Sequence, residues 1–200
     1  SQIDFKSVEV EGIEKISSFD IENACEMGYR IKLVGISELS EQGLYQEVQP
    51  CLVPESSVIS KLEGGTNMVI IDSDFIGRTY FSGPGAGAGP TASAVIADLI
   101  DIANNKISPV FGTEAKFLKK MKRVSTGINR CYYLRLTLDD TPGALAKIAT
   151  ILGKHKISID RMRQKAHDGN SAPIIIVTHK TTQKMVKTAL AKISKLDVCL

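Results

Sequence analysis

The apolar residues in the first half of the chain switch between helical and strand spacing. After Ser17 they recur with the period of a helix as far as Gly28, which predicts a short capped helix. Alternating, β-branched residues at 31–36 and 45–53 predict two strands after this helix. A short helical pattern follows at 56–65. The first part of the chain is therefore expected to combine a sheet with helices.

Two further strands are predicted at 68–71 and 77–81, and the polar residues 72–74 between them indicate a hairpin turn. Residues 83–90, with the sequence GPGAGAGP, form what we term the glycine loop. Apolar residues at helical spacing then predict a helix that begins at Thr91. The order strand, glycine loop, helix is the most unusual feature of the chain.

The second half of the chain has a different pattern. Polar and basic residues beyond Asn105 predict a linker over 106–129. From Cys131 the periodicity predicts the order strand, helix, strand, strand, helix, with a polar turn at 166–171 and a closing strand available at 197–200. Such an order gives a small antiparallel sheet with both helices on one face.

Together these elements predict an α+β protein with two domains. Residues 1–105 are expected to combine a sheet with helices, and residues 130–200 to form a ferredoxin-like domain of the order βαββαβ. A chain of 200 residues is long enough for two such domains.

Composition and charge argue against two classes of partner. The net charge is only +3, Trp is absent and aromatic residues make up 6% of the chain, so no nucleic-acid partner is indicated. The basic residues between 116 and 123 are expected to form a solvated face. The longest apolar stretch, 92–103, is interrupted by Asp98 and Asp101, so no membrane span is predicted.

The cysteines and histidines indicate no metal site. The four cysteines form neither a C-x-x-C pair nor a Cys/His cluster, which predicts reduced packing thiols. His155, His167 and His179 have no ligand spacing and are expected at a helix end, in a loop and at a strand end. The polar N-terminal residues contain no hydrophobic signal core, so a cytoplasmic chain is expected.

The glycine loop has two interpretations. Gly83, Gly85 and Ala88 satisfy the dinucleotide pattern G-x-G-x-x-G/A, but the following helix leads into a polar linker rather than another parallel strand. The loop is therefore either a tight connection or a backbone that approaches a ligand closely. Four glycines among eight residues favour the ligand, since each glycine has an entropic cost.

The turn from Asp140 to Gly143 lies between a predicted strand and a predicted helix. Pro142 favours the first helical turn, and Gly143 allows a sharp bend. Free amides at the start of this helix suit a carboxylate ligand. The alternative is that Asp140 only caps the helix.

Several short motifs of the first domain occur together in one known family. They are Val10-Glu11-Gly12-Ile13, Asp20-Ile21, Gly28-Tyr29-Arg30-Ile31-Lys32-Leu33, Val53-Pro54, Asn67, Gly83-Pro84-Gly85-Ala86-Gly87 and Pro90-Thr91-Ala92-Ser93-Ala94-Val95. With these motifs, residues 10–103 resemble the later catalytic region of the homoserine dehydrogenases. This resemblance implies a mixed sheet with helices on one face for residues 1–105. The glycine loop and the Pro-Thr-Ala helix start are the most distinctive part.

The chain from Cys131 onward carries a second set of motifs. They are Asp140-x-Pro142-Gly143-x-Leu145, Ile157-Ser158-Ile159 and Gln164. This segment resembles an ACT domain, and such a domain closes many bacterial homoserine dehydrogenases. The order of the two segments supports one assignment for nearly the whole chain.

The first resemblance implies reversible, NAD(P)-dependent conversion of L-aspartate 4-semialdehyde to L-homoserine. In this family a Rossmann domain, the catalytic lysine and the acidic substrate ligands precede the matched region. We therefore assign no catalytic residue here, and we expect this chain alone to bind no cofactor and to be inactive. The family's loop at the junction of the nucleotide and substrate sites corresponds to Gly83, Gly85, Ala86, Gly87 and Thr91.

The second resemblance implies a regulatory site for a small amino acid, L-threonine or another. Its expected residues are Asp140, Pro142, Gly143, Ala144, Leu145, Ile157, Ser158 and Gln164. A homo-oligomer is also implied, because both kinds of domain associate in their families. The alternative functions are a stand-alone ACT-containing regulatory protein that binds an amino acid without catalysis, and a purely structural interaction module.

Overall fold

The computed structural model describes residues 2, 4–106, 109, 112–124, 129–164 and 171–200. The chain divides into an N-terminal unit, Ser1–Arg123, and a C-terminal unit, Val124–Leu200. His167 and the predicted polar turn, apart from Ser171, lie outside the described residues, as do parts of the predicted linker.

The first helix, α1, spans Ser18–Glu26 and begins at a reciprocal cap. The Ser17 hydroxyl accepts from the amide of Asp20 at 3.4 Å, while the Asp20 carboxylate accepts from the amide of Ser17 at 2.9 Å. The helix ends before Gly28, whose φ of 81° is a conformation that favours glycine. The predicted helix is present, with its start at the predicted cap.

Three strands form the sheet of the N-terminal unit: β1 (Glu9–Val10), β2 (Tyr29–Ser40) and β3 (Gly43–Pro54). Their order is β1-β3-β2, with β2 antiparallel and β1 parallel to β3, so the sheet is mixed as predicted. Strands β2 and β3 form twelve residue pairs and therefore extend beyond the predicted bounds into polar residues.

The end of the basic stretch pairs with this sheet. The amide of Leu44 donates to the carbonyl of Lys122 at 2.8 Å, and the amide of Gln2 donates to the carbonyl of Lys119 at 3.0 Å. The Arg123 guanidinium also donates to the side-chain oxygen of Gln46. This part of the basic stretch is thus tied to the N-terminal unit through backbone and side-chain bonds.

A hairpin and a long helix complete the N-terminal unit. Strands β4 (Thr66–Ser73) and β5 (Gly77–Pro84) pair antiparallel in a sheet of their own, and α2 spans Ala88–Ala103 after the glycine loop. The helix begins three residues before the predicted Thr91. Proline is tolerated in the first turn because the amides there need no helical partner, so Pro90 lies inside the helix.

The helix α2 and the hairpin leave much apolar surface exposed. In the part of the chain that is described, no side chain of α2 is buried. The exposed apolar side chains of these elements are Val69, Ile71, Phe75, Ile76, Tyr80, Phe81, Val95, Ile96, Leu99, Ile100 and Ile102. An apolar surface of this kind is typical of a face that another chain or segment covers. No helix among the described residues is both long and apolar enough to cross a membrane.

The C-terminal unit has the predicted order of elements. Its main elements are β7 (Tyr133–Asp139), α3 (Ala144–Lys154), β8 (Ile159–Gln164), β9 (Ser171–Thr178) and α4 (Gln183–Ile193). The sheet order is β7-β9-β8, with β9 antiparallel to both neighbours. The short strands β6 (Asn129–Arg130) and β10 (Thr181–Thr182) form a separate pair.

The closing strand is shorter than the sequence predicts. It consists of a single bridge between Leu138 and Cys199. The amide of Leu200 donates to the carbonyl of Thr137, and the amide of Asp139 donates to the carbonyl of Val198, each at 2.9 Å. The α+β fold is confirmed, with the last strand reduced to this contact.

The core of the C-terminal unit lies between its sheet and its two helices. Alternate residues of β7 point into it, and residues three or four apart do so on each helix, which is why one face of α3 and α4 is apolar. The buried set is Leu134, Leu136, Leu138, Ala144, Ile148, Leu152, Ile157, Ile174, Ile176, Val186, Ala189, Ile193 and Val198. This unit therefore has a closed hydrophobic core.

We expect Leu152→Ala to lower the free energy of unfolding of the C-terminal unit by about 2–5 kcal/mol, because it opens a cavity at a side chain that is 1% exposed. The matched control is Leu200→Ala, at a side chain 69% exposed, with an expected loss below about 0.5 kcal/mol. Urea unfolding followed by circular dichroism measures both. Equal losses would contradict this description of the core.

Candidate functional site

The glycine loop continues directly from the paired end of the hairpin. In the last two pairs of β4 and β5, Asn67 lies opposite Gly83, and Thr66 lies opposite Pro84. Beyond the strands, the amide of Gly85 donates to the carbonyl of Gly65 at 2.8 Å. The start of the loop is therefore held by hairpin hydrogen bonds rather than projecting freely.

Gly85 is required by a close approach within the chain. A Cβ atom at this position would lie 1.7 Å from Nδ2 of Asn67 and 2.5 Å from its Cγ, which no real Cβ contact allows. A Cβ atom at Gly83, by contrast, would meet no described atom within 4 Å. The described structure therefore gives a steric reason for glycine at 85 but not at 83.

Gly87 is required by its backbone conformation. Its φ of 124° and ψ of 155° lie in a region that is essentially restricted to glycine. Gly87 is the N-cap of α2, and no side chain caps the helix there. The amide of Thr91 donates to the Gly87 carbonyl at 3.1 Å, whereas the first amides of a helix have no partner within it.

This geometry suits an electronegative ligand group. Ala86, Gly87 and Thr91 are exposed, and the positive end of the α2 dipole lies at the loop. Glycines in the loop also let a ligand reach the backbone without meeting side chains. The residues present thus fit a contact with part of a dinucleotide cofactor, although they supply no acid, base or metal ligand for chemistry.

The far end of the hairpin is closed by an ion pair. The Arg78 guanidinium donates to both carboxylate oxygens of Asp72, at 2.6 and 2.7 Å. The hydrogen bond from Arg78 holds the pKa of Asp72 below its usual value, and Asp72 raises the pKa of Arg78. Both side chains are exposed, so this cross-strand pair adds a small contribution to the register that places Asn67 opposite Gly83.

The turn from Asp140 to Gly143 leads into α3 without a capping aspartate. Gly143 is the N-cap of α3 with a left-handed φ of 88°, and no side chain caps this helix. The amide of Ala144 donates to the carbonyl of Thr141 at 3.1 Å. Capping by Asp140 is therefore not observed, and the Asp140 side chain is exposed.

The predicted effector residues fall into two groups by burial. Ala144 and Ile157 are buried in the core of the C-terminal unit, and Leu145 packs against it. The exposed residues of the predicted set are Asp140, Pro142, Gly143, Ser158 and Gln164. Only the exposed group is accessible to a ligand in this conformation.

The exposed residues of the predicted effector set lie at two different ends of the β7-β9-β8 sheet. Strand β8 runs parallel to β7, because both pair antiparallel with β9. Gln164, at the end of β8, therefore lies toward the end of the sheet where the Asp140 turn begins. Ser158 precedes β8, and its carbonyl accepts from the amide of His179 at the opposite end. One chain thus does not bring Ser158 to the Asp140 turn, although the ACT resemblance assigns both to one effector site.

The described residues contain no group of three or more His, Cys, Asp and Glu side chains that would hold a metal ion. All four cysteines lie within the described ranges, and none of them forms a disulfide there. His155 follows α3, and His179 follows β9, at the ends of elements where they are expected.

Two family models match the chain. One described as "Homoserine dehydrogenase" matches residues 1–100, half of the chain, and one described as "ACT domain" matches residues 132–198. The chain belongs to the homoserine dehydrogenase family. Both resemblances inferred from the sequence motifs are confirmed. The dehydrogenase match over the first half also favours the enzyme over a stand-alone ACT regulatory protein.

Individual homoserine dehydrogenases match nearly all of this chain. The protein of that name from Neisseria gonorrhoeae is 38% identical over 203 residues, which cover 98% of this chain and 47% of the relative. The one from Helicobacter pylori is 37% identical over 192 residues, covering 96% and 45%. The chain thus spans about half the length of the curated relatives it matches.

Solved homoserine dehydrogenase structures agree with the fold. The enzyme from Thiobacillus denitrificans superposes with a TM-score of 0.84 at 38% identity, over 98% of this chain and 46% of that chain. The S. aureus enzyme at pH 6.0 gives a TM-score of 0.59 at 23% identity, over 93% and 45%, and supports the fold alone.

Sequence reasoning about this family member missed the contact at Gly85. Asn67 belonged to the family motif but had no assigned role. The sequence predicts the hairpin turn at 72–74, whereas the strands pair as far as Ser73 and Gly77, so the turn lies at 74–76 and residue 67 lies opposite residue 83. Only the structure reveals that the Asn67 side chain then reaches across to Gly85.

We expect the hairpin to lose part of its protection from hydrogen exchange in acid, as the pH falls below the ordinary range of an aspartate pKa and Asp72 becomes protonated. Because the folded pKa of Asp72 is lowered, the ion pair contributes fully above the unfolded pKa and is lost as the pH falls through the folded one. Protection factors at the amides of Ile71 and Thr79 measure this loss, because these residues form the hydrogen-bonded pair next to Asp72 and Arg78. Asp72→Asn should lower them at pH 7 and remove the acid transition.

The matched control is Asp74→Asn, because Asp74 lies in the adjoining turn and has no ion pair in the described part of the hairpin. This variant should keep the acid transition of the wild type. An unchanged pH profile in Asp72→Asn would mean that another group is responsible.

Proposed function

We propose that this chain is part of an enzyme that interconverts L-aspartate 4-semialdehyde and L-homoserine with NAD(P). Family membership supports the reaction, and the glycine loop is the observation that carries the assignment. The loop combines a backbone conformation restricted to glycine at 87 with an uncapped start of α2. These features leave unpaired helix amides exposed beside glycines, which supports contact with an electronegative ligand group.

In this proposal the loop positions the cofactor against the substrate. Hydride transfer requires the two reacting carbons to be held in near-attack geometry, and NAD(P) supplies the hydride carrier when it is bound. Gly83, Gly85, Ala86, Gly87 and Thr91 would contact it at the junction of the nucleotide and substrate sites. We assign the acid–base chemistry to residues outside this chain, and we expect the chain alone to bind no cofactor.

We further propose that the C-terminal unit binds a small amino acid as a regulator, with L-threonine as the first candidate. The exposed Asp140 carboxylate suits an α-ammonium group, and the uncapped amides at the start of α3 suit an α-carboxylate. Gln164 lies toward the same end of the sheet. Ser158 lies at the other end, so its participation would require a second chain.

The exposed apolar surfaces of α2 and the hairpin support a larger assembly. We propose that the rest of the enzyme and a second copy of the chain cover them, in a homo-oligomer with symmetric contacts. The four cysteines, none of which forms a disulfide in the described part of the chain, are compatible with a reducing compartment, and this supports the proposed cytoplasmic location.

The complete product of the gene that encodes this chain should oxidise NADPH in the presence of L-aspartate 4-semialdehyde, whereas the 200-residue chain alone should not. In the complete product, Gly87→Ala should lower kcat/KM about tenfold or more, because it strains the loop by about 1–3 kcal/mol. Gly12→Ala is the matched control, since a Cβ atom there meets no described atom within 4 Å. Its kcat/KM should stay within about twofold of wild type.

Absence of turnover in the complete product would reject the proposed reaction. Full activity of the Gly87→Ala enzyme would reject the role of the loop. These two results separate the identity of the reaction from the position of the site.

Calorimetry of the complete, oligomeric protein with L-threonine should give saturable binding. Asp140→Asn should weaken this binding about tenfold or more, because it removes a charge-assisted contact with the ammonium group. Asp197→Asn is the matched control; its carboxylate already binds Lys147 at 2.9 Å. Equal affinities for wild type and Asp140→Asn would exclude this site, and failure of threonine, methionine, lysine and isoleucine to bind would indicate an assembly role for the unit.

A further inference from the structure

The side chain of Asn67 occupies the space above Gly85. Its amide nitrogen lies 1.7 Å, and its Cγ 2.5 Å, from the position that a Cβ atom of residue 85 would take. Gly85 is not among the residues with positive φ, so its backbone conformation alone would accept an alanine. The only restriction described at this position is the contact with Asn67.

Asn67 is itself held by the hairpin. It lies opposite Gly83 in the β4–β5 register, and its carbonyl accepts from the Ser82 hydroxyl at 3.2 Å. The amide of Gly85 is bound by the carbonyl of Gly65 at 2.8 Å. The loop at Gly85 is thus bounded by a hydrogen bond on its amide and by the Asn67 side chain at its Cα.

The contact with Asn67 is one of shape. In the part of the chain that the structure describes, no hydrogen bond joins the Asn67 side chain to another group. Its effect on the loop therefore comes from the volume that it fills. A leucine has nearly the same heavy-atom shape and would fill this volume, whereas an alanine would not.

We propose that Asn67 is a positioning residue for the glycine loop. This inference rests on the proposed function, in which the loop contacts the cofactor. By packing on Gly85, Asn67 determines where residues 86 and 87 leave the hairpin and where the first amides of α2 lie. A displaced loop would weaken cofactor binding even though Asn67 itself takes no part in the chemistry.

A double-mutant cycle in the complete enzyme tests this role. Gly85→Ala should raise the KM for NADPH about tenfold with a smaller change in kcat, since the new Cβ atom displaces Asn67 and the loop. Asn67→Ala should also raise this KM, because it leaves the loop unsupported. The double variant Gly85→Ala/Asn67→Ala should be no worse than Asn67→Ala, because the clash is gone. Asn67→Leu should keep the KM close to that of wild type.

The separation of KM from kcat distinguishes positioning from loss of folded enzyme, which would lower kcat and leave KM unchanged. A defect of Gly85→Ala that persists in the Asn67→Ala background would overturn the proposal, since another neighbour would then require the glycine. Equal losses in Asn67→Leu and Asn67→Ala would also overturn it.

A second measurement on the 200-residue chain does not depend on activity. Gly85→Ala should shift the NMR resonances of the Asn67 side-chain amide and of the Gly87 backbone amide. Gly83→Ala is the matched control and should leave the Asn67 side-chain resonances in place, because its Cβ atom meets no described atom within 4 Å. Unmoved Asn67 resonances in Gly85→Ala would overturn the contact. If the complete wild-type enzyme shows no turnover, the proposed reaction is rejected. The NMR measurement still shows whether Asn67 packs against Gly85.

Discussion

The antiparallel register of β4 and β5 is the constraint on which the candidate site depends. Eight residue pairs align Asn67 with Gly83 and bring the carbonyl of Gly65 within 2.8 Å of the Gly85 amide. A shift by one residue would turn Asn67 to the other face of the hairpin and remove its contact with the loop. Three features therefore act on the same part of the chain: the hairpin turn, the Asp72–Arg78 pair and the glycines of the loop. Each contributes to the point at which the chain leaves the hairpin and enters α2.

The two units reach stability in different ways. The C-terminal unit encloses its own apolar residues, with Ile148, Ile176 and Ala189 fully buried between the sheet and helices. In the N-terminal unit, α2 presents a wide apolar arc interrupted mainly by Asp98 and Asp101. Such a helix is typical of a buried position in a larger protein. The apolar composition of α2 therefore suits a helix that is more deeply buried than α2 is in this chain.

Periodicity alone predicted strands and helices in the first half and the order of elements in the C-terminal unit, because burial on one face imposes a regular spacing. The mixed sheet was expected from the family resemblance. It placed element ends less well: β2 continues through polar residues to Ser40, and α2 begins at Ala88 within a sequence rich in Gly and Pro. The loop residues were identified from a family motif, but the reason for Gly85 depends on a side chain 18 positions earlier. Similarly, the position of Ser158 follows from the three-dimensional path of α3, which local spacing does not describe.

The pairing of the basic stretch with β3 has a consequence for how the chain is degraded. Lys119, Lys120, Lys122 and Arg123 offer several peptide bonds to proteases that cleave after basic residues. The carbonyls of Lys119 and Lys122, however, accept hydrogen bonds from Gln2 and Leu44. A protease must bind its substrate as an extended, unpaired strand, so cleavage here first requires this edge to detach. Cleavage after Lys119 or Lys122 therefore depends on local opening of this part of the N-terminal unit.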